Sequence, residues 1–462
     1  MIRTNNIVAG DAARDPRRTG GLAAPALFNV CFYRRDSYAL FDPGSTRLFG
    51  GAEVRSKIFA EGLARRGVSV SYVVAYDGQP HRQQFGGVTV VSEPRTFRML
   101  TEPFFRAAYE GYRECGEPRA TFPWFRLHRW RARLLWQIPT LVLHHLILWR
   151  RWKRQTFSAR RFYRKLGCQV FCCFGANDFT AQVVASCRRF GMKSVVFIVS
   201  DLELSDRIRP GGGPELALGT SAHAVWYSLA HADHVVVQTA RQQEQLGRLI
   251  GREATLIRSP VDLEAVPAKT SCVPFSRFAL WIGRAERQSL SEKRPELCLE
   301  LARRCPDIPF LAVMNPVDPG RYAELQASKP ANLTMMEHVP FSEIDNYFNR
   351  SFVLLNTSRY EGFPNTFLQA GKHALPILSL NVDPDGIIKE NGCGVVCGDD
   401  IEVMAAELRR LWHDEGYAHQ LGRQARQYVE REHDLRVCLD ELIRVLNRLI
   451  APSGASAMTN DS

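Results

Sequence analysis

Ser358–Leu380 reads SRYEGFPNTFLQAGKHALPILSL. The residues just before it, Phe352–Asn356, form an apolar run suited to a buried strand. Gly362 and Pro364 then make a tight loop, and Asn365 is placed to cap a helix starting near Thr366. A helix N-terminus behind such a loop presents free N–H groups and the positive end of the helix dipole. That combination suits a phosphate or a sugar hydroxyl. Glu361 lies in the loop and Gln369 on the first turns of the helix, so both can reach one cleft.

The same strand–helix alternation fills both halves of the chain. In the first half Ala26–Tyr33, Val68–Ala75, Val170–Phe174, Ser194–Val199 and His234–Gln238 read as strands. Glu53–Arg66 and Ala181–Phe190 have helical spacing, and each closes on a glycine, Gly67 and Gly191. Ser259–Thr270, with two prolines and little periodicity, reads as a linker. A second series follows, with strands at Phe278–Ile282, Phe310–Val313 and Phe352–Asn356 and a helix at Pro295–Arg304. Repeated βα units imply parallel sheets with helices on both faces. At 462 residues, two doubly wound, Rossmann-like domains facing a cleft are expected. The division expected is a tail at 1–21, an N-terminal domain at 22–260, a C-terminal domain at 271–430, a helix at 431–450 and a tail at 451–462.

Two further motifs flank that cleft. In Trp281–Leu297, WIGRAERQSLSEKRPEL, a strand ends at Gly283 and is followed by Arg284 and Lys293. Two fixed cations can meet the charge of a departing diphosphate. In Leu48–Val74, LFGGAEVRSKIFAEGLARRGVSVSYVV, Gly50 and Gly51 precede a helix and permit close backbone approach to a ligand.

Together these stretches resemble the GT-B retaining glycosyltransferases, specifically family 4, from about Leu27 to Leu446. In that family an EGFP-type loop carries a glutamate, then seven residues, then a second glutamate. Glu361 matches the first, while Gln369 stands at the second and keeps one acceptor without the charge. The resemblance implies that Glu361 faces the donor sugar and that Arg284 and Lys293 hold the leaving pyrophosphate. It places Gly50, Gly51, Gly283, Phe363, Pro364, Asn365 and Gln369 around the donor. It also implies retention of anomeric configuration with neither metal nor cofactor, and a final helix, about Arg436–Ile450, that returns to the first domain. His231–Asp262 resembles the family's last strand, helix and strand before the linker. The family's mid-domain histidine has no counterpart in QVFCCFGANDFT, where Asn177 and Asp178 are the nearest polar groups, and Asn315–Pro316 replaces its usual glycine pair.

Asp383-Pro384-Asp385 looks like a metal-binding DxD, but its proline and the glycine after it favour a turn. The twelve cysteines are scattered without zinc-finger spacing, and the N-terminus has no apolar signal region, which points to a reducing, cytoplasmic setting. Charge is placed unevenly. Of 60 Lys and Arg, thirteen fall between Pro118 and Asn177, where there is no Asp or Glu, so the remaining 47 face 48 acidic residues. The insertion 118–165 also holds five of the eight tryptophans: Trp124, Trp130, Trp136, Trp149 and Trp152. Its apolar stretch, Leu134–Trp149, would span roughly 24 Å as a helix, short of a bilayer core of about 30 Å. An interfacial segment on an anionic membrane fits better. The alternative is a hairpin packed on the N-terminal domain with a solvated basic face. No RNA-binding motif accompanies the segment, so nucleic acid is not expected as a partner.

The expected function is transfer of a hexose-type sugar from a nucleotide-sugar donor to a lipid-linked or polysaccharide acceptor, by an enzyme peripheral on the inner face of the membrane. A non-catalytic sugar-nucleotide-binding homologue and a nucleotide-sugar epimerase are the alternatives.

Overall fold

The computed structural model describes residues 28–42, 50–76, 78–94, 104, 107–108, 111, 116–117, 126–127, 130–152, 156–215, 220–264, 276–285, 293–340 and 343–451. The expected tails, apart from Ala451, lie outside these, as do linker residues 265–270 and most of 94–129.

The N-terminal half builds one sheet from β1 (Asn29–Tyr33), β2 (Ser69–Ala75), β3 (Arg82–Phe85), β4 (Val88–Glu93), β5 (Val170–Phe174), β6 (Lys193–Phe197), β7 (His234–Val237) and β8 (Thr255–Leu256). Its order is β8-β7-β6-β5-β1-β2-β4-β3, parallel except for the β3–β4 hairpin. Neither hairpin strand is among those expected from sequence: Arg82–Phe85, RQQF, carries no apolar alternation, while Val88–Glu93, VTVVSE, does alternate. The longer helices are α1 (Gly51–Arg65), α2 (Leu134–Trp152), α3 (Asp178–Phe190), α4 (Ala222–His231) and α5 (Ala240–Ile250), with short ones at Tyr38–Phe41 and Arg161–Lys165.

Alternate strand residues feed opposite faces, as the pleat requires. Val30 and Phe32 join a core under α1, whereas Cys31 and Tyr33 join a second core under α3 and α4. The same alternation parts the adjacent Cys172 and Cys173, and all ten cysteines among the described residues are buried and unpaired.

The C-terminal half forms β9 (Phe278–Arg284), β10 (Phe310–Asn315), β11 (Leu333–Met336), β12 (Ser351–Asn356), β13 (Ile377–Ser379) and β14 (Gly394–Val396). All six are parallel, in the order β11-β10-β9-β12-β13-β14. The order reverses between β9 and β12, so a ligand crevice opens at their carboxyl ends. Helices α6 (Pro295–Arg304), α7 (Pro319–Ser328), α8 (Ile344–Arg350), α9 (Asn365–Lys372), α10 (Ile401–His413), α11 (Glu415–Glu432) and α12 (Leu435–Ile450) complete the chain. The fold is thus α/β with two Rossmann-like domains, the GT-B arrangement.

The chain crosses between the halves twice, and the crossings are stitched together. Val261 N–H donates to the His433 carbonyl at 2.8 Å, and Leu435 N–H to the Val261 carbonyl at 3.0 Å. His433 is fully buried, 2.7 Å from the Ser259 carbonyl through Nδ1 and 3.0 Å from the Tyr428 hydroxyl through Nε2. Burial pushes its imidazole down to about 3. Beyond the crossing, α12 returns to the first sheet, where Leu435, Cys438, Leu439, Leu442, Val445 and Leu446 complete the core under α1. Gly62 allows that approach, since a Cβ there would lie 2.8 Å from the Leu439 side chain.

The basic aromatic insertion contributes α2, which runs through Pro139 rather than breaking there. Leu134, Ile138 and Leu141 pack with Ala108 in a small separate cluster. Leu135, Trp136, Val142, Leu143 and Leu146 stay exposed. Among the described residues no helix is long and apolar enough to cross a membrane.

Candidate active site

Glu361 sits five residues beyond β12, at the crevice where strand order reverses. Its Oε1 accepts from Asn356 Nδ2 at 2.9 Å and from Ser358 Oγ at 2.6 Å. Its Oε2 is 2.6 Å from Lys293 Nζ. The carboxylate is therefore held by three donors yet remains accessible from the cleft, its side chain 14% exposed.

Lys293 is positioned by its backbone. Trp281, buried in β9, donates its indole N–H to Thr357 Oγ1 at 2.9 Å, and that hydroxyl donates to the Lys293 carbonyl at 2.7 Å. Gly283 is shaped by the same tryptophan: a Cβ there would lie 2.4 Å from the Trp281 ring. The next residue, Arg294, has φ 48, a left-handed conformation for a residue with a Cβ. Its guanidinium donates through Nε to the Thr357 carbonyl at 2.7 Å and through Nη2 to the Ser358 carbonyl at 3.2 Å. Its Nη1 pairs with Asp399 at 2.6 Å. Arg294 thus clamps the loop that carries Glu361 to the backbone that carries Lys293. The sequence reading missed it, because a basic residue before a helix has many uses and its left-handed backbone leaves no trace in composition.

The helix after the loop differs in one respect from expectation. α9 begins at Asn365, with Pro364 as its N-cap and no side-chain cap. Asn365 does not cap it, because the proline already fixes the entry and the carboxamide reaches across the cleft instead. Its Nδ2 donates to the Gly51 carbonyl at 3.0 Å, and a Cβ on Gly51 would lie 2.7 Å from that nitrogen. A side chain at Gly51 would displace the Asn365 carboxamide from this contact between the two halves. One turn on, Gln369 is half-buried, with no side-chain hydrogen bond among the described residues. Phe363 turns toward the crossing point, its ring centroid 5.2 Å from that of His433.

Gly50 caps α1 through Glu53, its N–H donating to Oε2 at 2.8 Å. Burial would raise the Glu53 carboxyl, but Arg34, 2.5 Å from Oε1, together with backbone donors holds it below the usual range. A Cβ on Gly50 would lie 3.9 Å from Arg284 Nη2, so the exposed Arg284 guanidinium faces the glycine pair. The structure therefore brings Glu361 to Lys293, Asn365 to Gly51, and Arg284 to Gly50, around one cleft. Residues 286–292, between the two expected phosphate-binding cations, lie outside the described residues.

Other polar groups resolve into structural roles. Asn177 caps α3 by accepting from Phe179 N–H and Thr180 N–H, and Asp178 accepts from Thr220 Oγ1 at 2.7 Å. Asp383 Oδ1 accepts from Ile388 N–H at 2.8 Å. Asp385 crosses to the other half, accepting from Ala240 N–H at 2.9 Å at the start of α5 and pairing with Arg258 at 2.9 Å. Asp383 thus serves the short helix Ile387–Asn391, and Asp385 the start of α5. On the N-terminal side Gly362 faces Asp201, whose Oδ1 accepts from Gln242 Nε2 at 2.9 Å. Nearby, burial raises the Glu203 carboxyl to about 8.

Residues 280–414, the body of the C-terminal domain, match the family model described as glycosyl transferases group 1. The capsular polysaccharide biosynthesis glycosyltransferase CapM of Staphylococcus aureus is 23% identical over 145 residues, covering 31% of this chain and 37% of that protein. The amylovoran biosynthesis glycosyltransferase AmsD of Erwinia amylovora is 36% identical over 74 residues, covering 16% of this chain and 21% of that protein. The matched stretches thus span less than two fifths of either relative. Among solved structures, sucrose-phosphate synthase of Thermosynechococcus elongatus superposes with a TM-score of 0.64 at 15% identity, over 92% of this chain and 99% of that one. That likeness establishes the shared two-domain fold.

Proposed function

We propose that this chain transfers a hexose-type sugar from a nucleotide-sugar donor to a polysaccharide or lipid-linked acceptor, with retention and without a metal. The observation that carries the reading is the Lys293–Glu361 pair, 2.6 Å apart at the strand-order reversal, beside the uncapped start of α9. The group 1 match over residues 280–414 supports the reaction class, and the names of the two relatives support a polysaccharide setting for the acceptor.

In this reading the nucleotide sugar lies across the carboxyl ends of β9 and β12. Arg284 and Lys293 meet the charge of its diphosphate, aided by the N-terminal dipole of α9. Glu361, held by Asn356 and Ser358, accepts hydrogen bonds from the donor sugar. Gln369 offers its carboxamide to the ribose. The bond from the anomeric carbon to the phosphate oxygen breaks, and a bond to the acceptor oxygen forms on the same face. The acceptor's proton passes to the departing phosphate oxygen, and nucleoside diphosphate leaves.

The reading also places the enzyme on an anionic membrane surface through α2 and the basic residues around it. The exposed Leu135, Trp136, Val142, Leu143 and Leu146 support this.

The test incubates purified protein with a panel of nucleotide sugars in EDTA and follows nucleoside-diphosphate release, then sets the anomeric configuration of the product by NMR. Acceptor-dependent release with retained configuration supports the proposal. Conversion of the donor to its epimer without release would replace transfer by epimerisation.

A further inference from the structure

The outer face of the N-terminal domain carries a groove away from the cleft. It has a volume of about 690 Å³ and is lined by Phe157, Arg161, Arg188, Arg189, Phe190 and Tyr227, among others. Arg188, Arg189 and Phe190 form the carboxyl end of α3, far from the strand ends that form the active site. Arg161, Arg188 and Arg189 are exposed, and none makes an ion pair among the described residues.

The wall of this groove is fixed. Phe157 packs at 4.9 Å from the Tyr227 ring and 5.9 Å from the His223 ring. Arg160 turns inward to the buried Glu93, and its N–H donates to Ser186 Oγ at 2.9 Å. Consecutive arginines therefore part company: Arg160 anchors the segment, and Arg161 is left in the groove. α2 ends at Trp152, four residues before Thr156 at the groove's rim, so the two cannot be more than about 14 Å apart. Those residues and the end of α2 include Arg150, Arg151, Lys153 and Arg154.

We infer that this groove receives the phosphate of an anionic lipid headgroup while the exposed face of α2 enters the adjoining interface; the inference rests on the membrane-docking reading above and names its polar subsite. Guanidinium groups match phosphate oxygens in paired geometry. Aromatic side chains such as Phe157, Phe190 and Tyr227 suit the boundary between headgroup and acyl chain. The occupant is a lipid rather than a soluble polyanion because the tethered helix exposes leucine, valine and tryptophan, with Leu135 at 70% and Leu143 at 54%. A nucleic acid or free phosphate would leave that surface in water.

The test is co-sedimentation of the full chain with vesicles of phosphatidylcholine alone or mixed with phosphatidylglycerol. The groove variant carries Arg161→Gln, Arg188→Gln and Arg189→Gln. A charge-matched control carries Arg350→Gln, Lys389→Gln and Arg423→Gln, all exposed on the other domain. Each basic residue at an anionic surface contributes about fivefold in partitioning, so the groove variant is expected to lose about a hundredfold and the control only a few-fold. Unchanged melting temperatures show that both variants are folded. Equal losses in the two variants would overturn the groove assignment and leave membrane docking standing. A wild-type chain that ignores anionic vesicles would overturn the docking reading and the inference with it.

Discussion

Arg294→Ala removes the clamp beneath the Lys293–Glu361 pair, and its cost can be worked from the contacts. The Thr357 and Ser358 carbonyls, on residues 0% and 1% exposed, lose their guanidinium donors. Hydrogen bonds from a charged group contribute about 1.5–3 kcal/mol each. The pair with Asp399 adds less than about 1 kcal/mol, because that carboxylate is half-exposed. The expected loss of local stability is then about 3–6 kcal/mol. Backbone strain separates the side chain from the main chain. At φ 48 an alanine keeps the left-handed penalty, whereas a glycine sheds it, so Arg294→Gly should be about 1 kcal/mol more stable than Arg294→Ala. Arg294→Lys should fall between alanine and wild type, since one ammonium cannot serve both carbonyls and Asp399 in the same geometry. Native-state hydrogen exchange of peptides covering β9 and β12 reads this locally, without assuming that two domains unfold as one. An alanine variant within 1 kcal/mol of wild type would refute the clamp, and a glycine variant no more stable than alanine would refute the backbone strain.

Arg284→Ala should weaken nucleoside-diphosphate binding about thirtyfold or more, as for loss of a charge-assisted hydrogen bond; equal affinity by calorimetry would remove Arg284 from the phosphate site. His433, held neutral down to about 3 against about 6.5 when free, gives a pH signature. Below 6.5 the unfolded chain takes up a proton that the folded one refuses, so this contribution is intact above 6.5 and is lost progressively as pH falls toward 3. Melting temperature should therefore fall less steeply between pH 6.5 and 4 in His433→Gln than in wild type, and parallel slopes would contradict the assignment.

The fold was legible because its strands are buried on both faces and read as short apolar runs. Val170–Phe174 and the helix Pro295–Arg304 are found where periodicity placed them. Boundaries moved by two residues where a strand runs on to a polar end, as at Gly283–Arg284 and Met314–Asn315. The outer strand of the β3–β4 hairpin was hidden because it is polar. In the site, Glu361 and Lys293 could be named from motif and spacing, but their union could not. It depends on Trp281, Thr357 and Arg294, whose roles arise from a register and a positive φ that no local pattern encodes. Asn365 illustrates the same limit, since its choice between its own helix and Gly51 is decided by a residue 314 positions away. Asp385 looked like half of a local motif and instead holds the other domain.

In the proposed transfer Glu361, paired with Lys293, acts on the sugar of a bound nucleotide donor. The direct measurement is turnover of the wild-type chain and Glu361→Ala with the donor identified by the panel, alongside donor affinity for both. A loss of about a hundredfold or more in kcat is expected in a folded variant that still binds nucleoside diphosphate, as when a fixed group serving the transition state is removed. Near-normal turnover in Glu361→Ala would contradict it.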